Sequence, residues 1–507
     1  MTDTSPTPTP TPTPTPATPD RVRWQIFAVC VAVASLTILD LSKVNVGLPS
    51  IEESLGAGSS ELQLIVAGYA LAFGLALVPA GRLGDIHSRK LMFIIGLSTF
   101  TVSSILCAIA PDITSLLIAR TVQGIAAGIQ MPQVLGLLQQ LFVGRERGRV
   151  FGIFGATIGV STAIGPTLGG LLIAIGGPTD GWRLLFWMNV PLGLLAIAFA
   201  ARLLPAKAAG AGVRKELDLV GILLLGVATF SLMLPFVLTT GGPADNPGRF
   251  LWLLACAAAI GAFVAWERRY RRLGKSPVVE LSLFRQSSYR NGVLVATAYF
   301  GALPALFLIS TLYLQQGLGI EPVFAGMVGI TFALAAAFTS WLGGRLVERF
   351  GRTLVVGGLA SVIVGFLLVI AAATLLPPDL SPWYMAAAMT VAGAGGGFVI
   401  SPNQTLTLAR VPVAMAGVAG SMSQVGQRVG TAIGVAAGSS AFFATLYRED
   451  GAGPIALYHD GFRNGALVSV GLIVLALVFA LADLRARRVE AAGPSRDAAG
   501  QPAQHQQ

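Results

Sequence analysis

GRLGDIHSRK (residues 81–90) and GRLVERFGRT (residues 344–353) stand 263 residues apart and match at five places. The pairs are Gly81 and Gly344, Arg82 and Arg345, Leu83 and Leu346, the acids Asp85 and Glu348, and Arg89 and Arg352. Two unrelated basic turns would not share five positions at one offset, so the chain reads as two equivalent halves. Each copy lies between apolar blocks of about 18 to 25 residues, the length an α-helix needs to cross roughly 30 Å of hydrocarbon.

Composition agrees. With 54% hydrophobic and 11% charged residues over 507 positions and a mean hydropathy of +0.73, the chain has too little polar surface for a water-soluble fold of this size. A β-barrel would show short alternating segments instead. Fourteen blocks start near residues 25, 62, 90, 114, 149, 184, 218, 249, 290, 323, 353, 383, 415 and 462. The expected fold class is therefore an all-α integral membrane protein. The expected organisation is a Thr/Pro-rich disordered tail (1–21), a six-helix bundle (22–205), two extra helices with a connector (206–289), a second six-helix bundle (290–485) and a disordered polar tail (486–507). Parallel repeats of this kind suit a transporter whose two bundles rock about a central site. The first block lacks the charged start, short apolar core and small-residue cleavage site of a signal peptide, so it reads as a retained helix.

Lys and Arg test the count, because they concentrate in cytoplasmic segments. Of 34 such residues, Lys43, Arg120 and Arg428 fall inside helices; Arg183, Arg249, Arg448 and Arg463 fall on one side and the remaining 27 on the other. A helix miscounted by one would scramble that split downstream. It predicts a multi-pass cell-membrane protein with both termini cytoplasmic, and it explains the net charge of +10 without a nucleic-acid partner. Cys30, Cys107 and Cys256 sit in apolar helices without CxxC spacing, and the three histidines share no HExxH pattern, so no metal site is expected. GKS at 274–276 lacks the earlier glycine of a phosphate loop, since Arg269 stands there. Active transport would then draw on an ion gradient rather than on a cofactor or ATP.

Inside the first block, LDLSKVNVGLP (39–49) carries Asp40 and Lys43. A charge at membrane depth is costly and usually faces a pathway or a partner. Of 24 Asp and Glu, all but Asp40 fall in loops, helix ends or tails. A proton-driven carrier needs a group protonated on one side and released on the other, and burial of a carboxylate favours its neutral form. Asp40 is the candidate by elimination. Lys43, one turn away, can pair with it and would then work against proton loading. Two readings stay open: pairing in only one conformation, or a fixed structural partner that rules Asp40 out as the carrier. Lys43 also lies about 4.5 Å nearer the extracellular side, within reach of that interface.

Other polar residues at depth fall on helix faces. Arg120, Gln123 and Gly124 share one face of the fourth helix, and Gln424, Gln427 and Arg428 share one face of the thirteenth. Polar groups there either line an aqueous cavity or bridge helices, and the spacing does not decide between the two. With Asn45, Tyr69, Gln130, Gln133, Asn403 and Gln404 they form the cavity candidates. In the fifth helix, Gly165, Gly169 and Gly170 let a neighbour approach closely while Pro166 removes a backbone donor. Those residues serve either a hinge or ordinary packing.

Five stretches in order resemble the major facilitator superfamily, in particular its fourteen-helix drug:proton antiporter group. They are GRLGDIHSRK, LDLSKVNVGLP, ARTVQGIAAG (119–128), GVSTAIGPTLGG (159–170) and WRLLFWMNVPLG (182–193). The resemblance spans about residues 22–485 and implies the major facilitator fold. It implies proton coupling through Asp40 with Arg120 tuning the carboxylate, an antiporter motif at Gly159, Gly165, Pro166, Gly169 and Gly170, and hence export. It also implies a conformational latch at Gly81, Arg82, Asp85 and Arg89, echoed by Gly344, Arg345, Glu348, Arg349 and Arg352. Departures are Lys43 where an apolar residue is usual, Ile86 for Arg and Ser88 for Gly; the second copy keeps Arg349 and Gly351, which makes it the better-preserved latch. The expected function is proton-coupled export of small amphipathic or hydrophobic molecules by a monomer in membrane lipid. No acid lies in the tenth helix before Glu348, which argues against doubly charged cations. The alternative is export of one metabolite, antibiotic or siderophore. A receptor or membrane enzyme would need an extramembrane domain or a catalytic cluster, and neither is present.

Overall fold

The computed structural model describes residues 19–177, 179–205, 218–238, 246–275, 277–412, 415–447 and 454–492, and among them it is helical without strands. Fourteen helices follow one another: α1 (Asp20–Leu55), α2 (Ser59–Ile86), α3 (Arg89–Ala108), α4 (Ile113–Leu141), α5 (Gly144–Gly176), α6 (Trp182–Leu203, interrupted at Met188), α7 (Leu219–Val237). They continue as α8 (Pro247–Arg272, its first turn 3-10), α9 (Ser287–Gly317, its last turn π), α10 (Pro322–Phe350), α11 (Arg352–Leu375), α12 (Ser381–Leu408), α13 (Ala416–Leu446) and α14 (Pro454–Ala492). Thirteen are apolar enough to cross a membrane on composition alone. The remaining one, α4, carries Arg120 and glutamines 123, 130, 133, 139 and 140, yet its 29 residues span about 43 Å. It is held by burial of those polar groups, Gln140 excepted, among its neighbours.

Local chemistry sets the breaks. Asp112 accepts from Ser115 N at 2.8 Å and starts α4; Asp218 accepts from Gly221 N at 2.9 Å and starts α7. The two repeat loops turn differently. Gly351 takes a left-handed φ of 52°, open to glycine at little cost, whereas Ser88 is extended and caps α3 through Leu91 N.

Packing repeats with the sequence. In the first half α1 packs on α5 and α6, α2 on α4, and α3 on α4 and α6; in the second, α9 packs on α13 and α14, α10 on α12, and α11 on α12 and α14. The halves meet reciprocally, α5 against α10 and α12, α13 against α2 and α4. One apolar core fills the first half and reaches into α13, and a second fills α9–α14. The inserted α7 lies over the seam between α2 and α13, with α8 packed on α7.

Three boundaries differ from those read in the sequence. α5 begins at Gly144 rather than near 149, and α8 extends to Arg272. α14 runs seven residues past 485 to Ala492, because its alanines and arginines favour helix and Arg487 Nε pairs with Asp483 at 3.1 Å. The Thr/Pro-rich tail to residue 18, residues 206–217, Arg448 and the tail from 493 lie outside the described residues.

Candidate functional site

Asp40 lies one turn past the middle of α1 and is fully buried. Its Oδ2 accepts from Arg120 Nη1 of α4 at 2.7 Å, and its Oδ1 accepts from Asn189 Nδ2 of α6 at 2.7 Å. Lys43 Nζ donates to Asn189 Oδ1 at 2.6 Å and stands 3.5 Å from Asp40 Oδ1. Asn189 therefore bridges the carboxylate and the ammonium, accepting from one and donating to the other. Lys43 is wholly buried and does not reach the interface, because this amide offers its ammonium an acceptor at depth.

The cluster extends through α4 and α3. Arg120 Nη1 also donates to Gln123 Oε1 at 2.7 Å, and Gln123 Nε2 donates to Ser104 Oγ at 2.7 Å. Arg120 Nε and Nη2 have no hydrogen-bond partner among the described residues; the guanidinium lies 4.2 Å over the Tyr69 ring and 5.7 Å from that of Phe186. Both faces of Asp40 are thus occupied and shut off from water. Taking two charges out of water is repaid only when geometry and hydrogen bonds are good, and here four side chains supply them.

Glycines of α5 back this cluster. A Cβ on Gly165 would overlap Ser42 of α1, and one on Gly169 would stand 3.0 Å from Lys43 O and 3.3 Å from its Cβ. Pro166 sits between them inside an unbroken helix. Gly159 makes ordinary contact with Ala333 and Ala337 of α10. Gly170 departs from expectation, since nothing lies within 4 Å of where its Cβ would be: it is one residue round the helix from the α1 contact.

The repeat loops share the face that carries both helix termini. Asp85 accepts from Arg89 Nη2 at 2.8 Å and from the backbone N–H groups of Gly417 and Val418 at 3.3 and 3.1 Å, on the first turn of α13. Gly81 meets Gly417 and Ser421, and Arg89 also donates to Gly136 O at 2.9 Å. Arg82 is buried and lines a ~90 Å³ cavity with Val278, Met415 and Val418. In the second copy, Gly344 packs on Gly148 and Gly152 of α5, and Glu348 pairs with Arg145 at 2.5 Å. Arg345 lies over Trp341 and Arg349 over Phe350. The second copy is the looser of the two, against the order read from its glycine: its acid–base pair is exposed while Asp85 is buried. Arg352 instead turns inward to Asp483 of α14 at 2.5 Å and to Asn403.

Several cavity candidates are helix ties. Gln130 donates to Thr37 Oγ1 of α1 at 2.7 Å, Gln133 to Ala80 O of α2 at 2.9 Å, and Asn403 to Gly292 O of α9 at 2.9 Å. These, Gln123 and Tyr69 are buried, and each of the amides finds a partner within its own half. Asn45, Gln404, Gln427 and Arg428 keep some exposure, and Gln424 is 8% exposed. The Arg428 guanidinium stands 4.5 Å over the Phe73 ring of α2, across the seam. Between α5 and α10, farther from the loop face, an apolar cavity of ~240 Å³ is lined by Val160, Ile164, Thr167, Ile330 and Leu334.

Sequence reading missed Asn189, Ser104 and Asp483. Asn189 had a signal, as the lone amide in the apolar run LLFWMNVPLG.

The profile of the Major Facilitator Superfamily matches residues 27–435. The probable actinorhodin transporter of Streptomyces coelicolor is 35% identical over 426 residues, 84% of this chain and 73% of that protein. The puromycin resistance protein pur8 of Streptomyces alboniger is 33% identical over 491 residues, 94% of each. Among solved structures, the proton:xylose symporter XylE aligns with a TM-score of 0.63 at 17% identity, over 90% of this chain and 95% of that one.

Proposed function

The chain belongs to the major facilitator superfamily, and on that premise we propose that it is a proton-coupled secondary transporter exporting small amphipathic or hydrophobic drugs by alternating access. It is a multi-pass membrane protein with a small-molecule substrate and no enzymatic activity. We place it in the cell membrane as a monomer, both termini and the latch face cytoplasmic, with the proton gradient as its energy source and no cofactor.

The observation that carries this reading is a carboxylate at membrane depth whose ion pairs and hydrogen bonds join three helices of one half (Asp40 and Lys43 of α1, Arg120 of α4, Asn189 of α6). The cytoplasmic side is closed here, by Asp85 on α13 and Gly344 on α5. When the cluster opens to the outside, a proton neutralises Asp40 and withdraws the charge that holds Arg120 and Lys43. α1 is then freer to move, and Gly165 and Gly169 pass that movement to α5. Because α5 meets α10 at the closed face, its movement opens the latch. Substrate binds as the proton leaves to the cytoplasm, and reclosure carries it out.

Expression in an efflux-deficient host, with a drug panel tested with and without a protonophore, checks the proposal. Resistance to several drugs should rise fourfold or more and vanish with the protonophore; unchanged susceptibility, or resistance indifferent to the protonophore, contradicts it. A narrower reading, export of one antibiotic or metabolite, is favoured by relatives named for single antibiotics. It predicts resistance to one member of the panel only.

A further inference from the structure

The ionisable groups at mid-depth do not balance. Asp40 is the single carboxylate, facing Lys43 and Arg120, and Arg428 adds a third cation on the opposite half. Among the described residues no carboxylate pairs with Arg428 and no hydrogen-bond acceptor reaches it; its contact is the Phe73 ring. A guanidinium stays charged and seeks acceptors, and a cation–π contact replaces only part of what water or an anion would supply. Around it stand further donors without acceptors. The Tyr69 hydroxyl is buried and unpartnered, its ring 6.2 Å from that of Phe73. Neither amide side chain of Gln424 or Gln427, on the Arg428 face of α13, is hydrogen-bonded among the described residues.

Resting on the export reading above, we propose that Arg428 recognises an anionic oxygen group on the substrate, and that the transported molecules are organic acids, carboxylates or ionised phenols. The chemistry matches in two respects. The excess positive charge repels cations and attracts anions. The Arg428 fork suits two oxygens at once. An anion leaving the cytoplasm also descends an inside-negative membrane potential.

The test uses the full-length protein in proteoliposomes, with naphthalene and anthracene probes each carrying a carboxylate, a carboxamide or an aminomethyl group. Wild type should transport the acids at least tenfold more efficiently than the amides and exclude the amines. Arg428→Gln should collapse the acid-over-amide ratio tenfold or more, a charged hydrogen bond being large enough for that, and Arg428→Lys should restore part of it. A merely structural Arg428 would lower transport of acid and amide together and leave the ratio alone. Preference for amines, indifference among the three groups, or an unchanged ratio in Arg428→Gln overturns the inference while leaving the export reading standing. Failure of the drug panel with its protonophore control would instead remove the export reading, and this inference with it.

Discussion

Asn189 is the residue on which the site turns, since it hydrogen-bonds both Asp40 and Lys43. Asn189→Leu removes a donor to a buried carboxylate and an acceptor from a buried ammonium. It should lower stability by about 2–3 kcal/mol in a thermal shift of the purified protein and reduce export at least tenfold. Lys43→Ile separates the two readings of that lysine. If pairing depends on conformation, losing a nearby positive charge lets Asp40 keep its proton in more alkaline medium, so the pH profile of export moves to higher pH. If Lys43 is a fixed partner, thermal stability falls and the profile stays in place. Asp40 and Arg120 were legible in the sequence because charges stand out in apolar helices. Asn189 stood out only as a lone amide, carrying no charge that demands a partner, and its partner in α1 is 149 residues away.

At the scale of the helix, α5 shows what a motif can and cannot say. Its glycines announced close packing, but only the helix rotation tells which of them touch a neighbour. Gly165→Val should abolish export by forcing α5 away from Ser42. Gly170→Ala should leave export within about twofold and, by helix propensity, stabilise by about 0.5–1 kcal/mol. A transport assay on the two variants, normalised to membrane expression, reads both. The same limit explains α4 and α13, whose glutamines share a face in each case. Gln123, Gln130 and Gln133 of α4 bond neighbours within its own half, whereas Gln424, Gln427 and Arg428 lie by the seam. Spacing gives the face, and the partner across it is a tertiary fact.

For the molecule as a whole, the repeat in the two loops foretold the reciprocal packing of α5 on α10 and α13 on α2, but not the inequality of the two latches. Asp85 is buried against the first turn of α13, whose N-terminal N–H groups favour an anion, while the Glu348–Arg145 pair is exposed and worth at most about 1 kcal/mol. Asp85→Ala should therefore favour the cytoplasm-open form, seen as a longer spin-label distance across the latch face, and cut export about tenfold. Glu348→Gln should change either by less than threefold. The central claim remains that a proton on Asp40 drives the exchange between these forms. Its most direct test is export from proteoliposomes under an imposed proton gradient, wild type beside Asp40→Asn. The account predicts gradient-driven export by wild type, and in Asp40→Asn only downhill exchange that no gradient accelerates; gradient-driven export surviving intact in Asp40→Asn would contradict it.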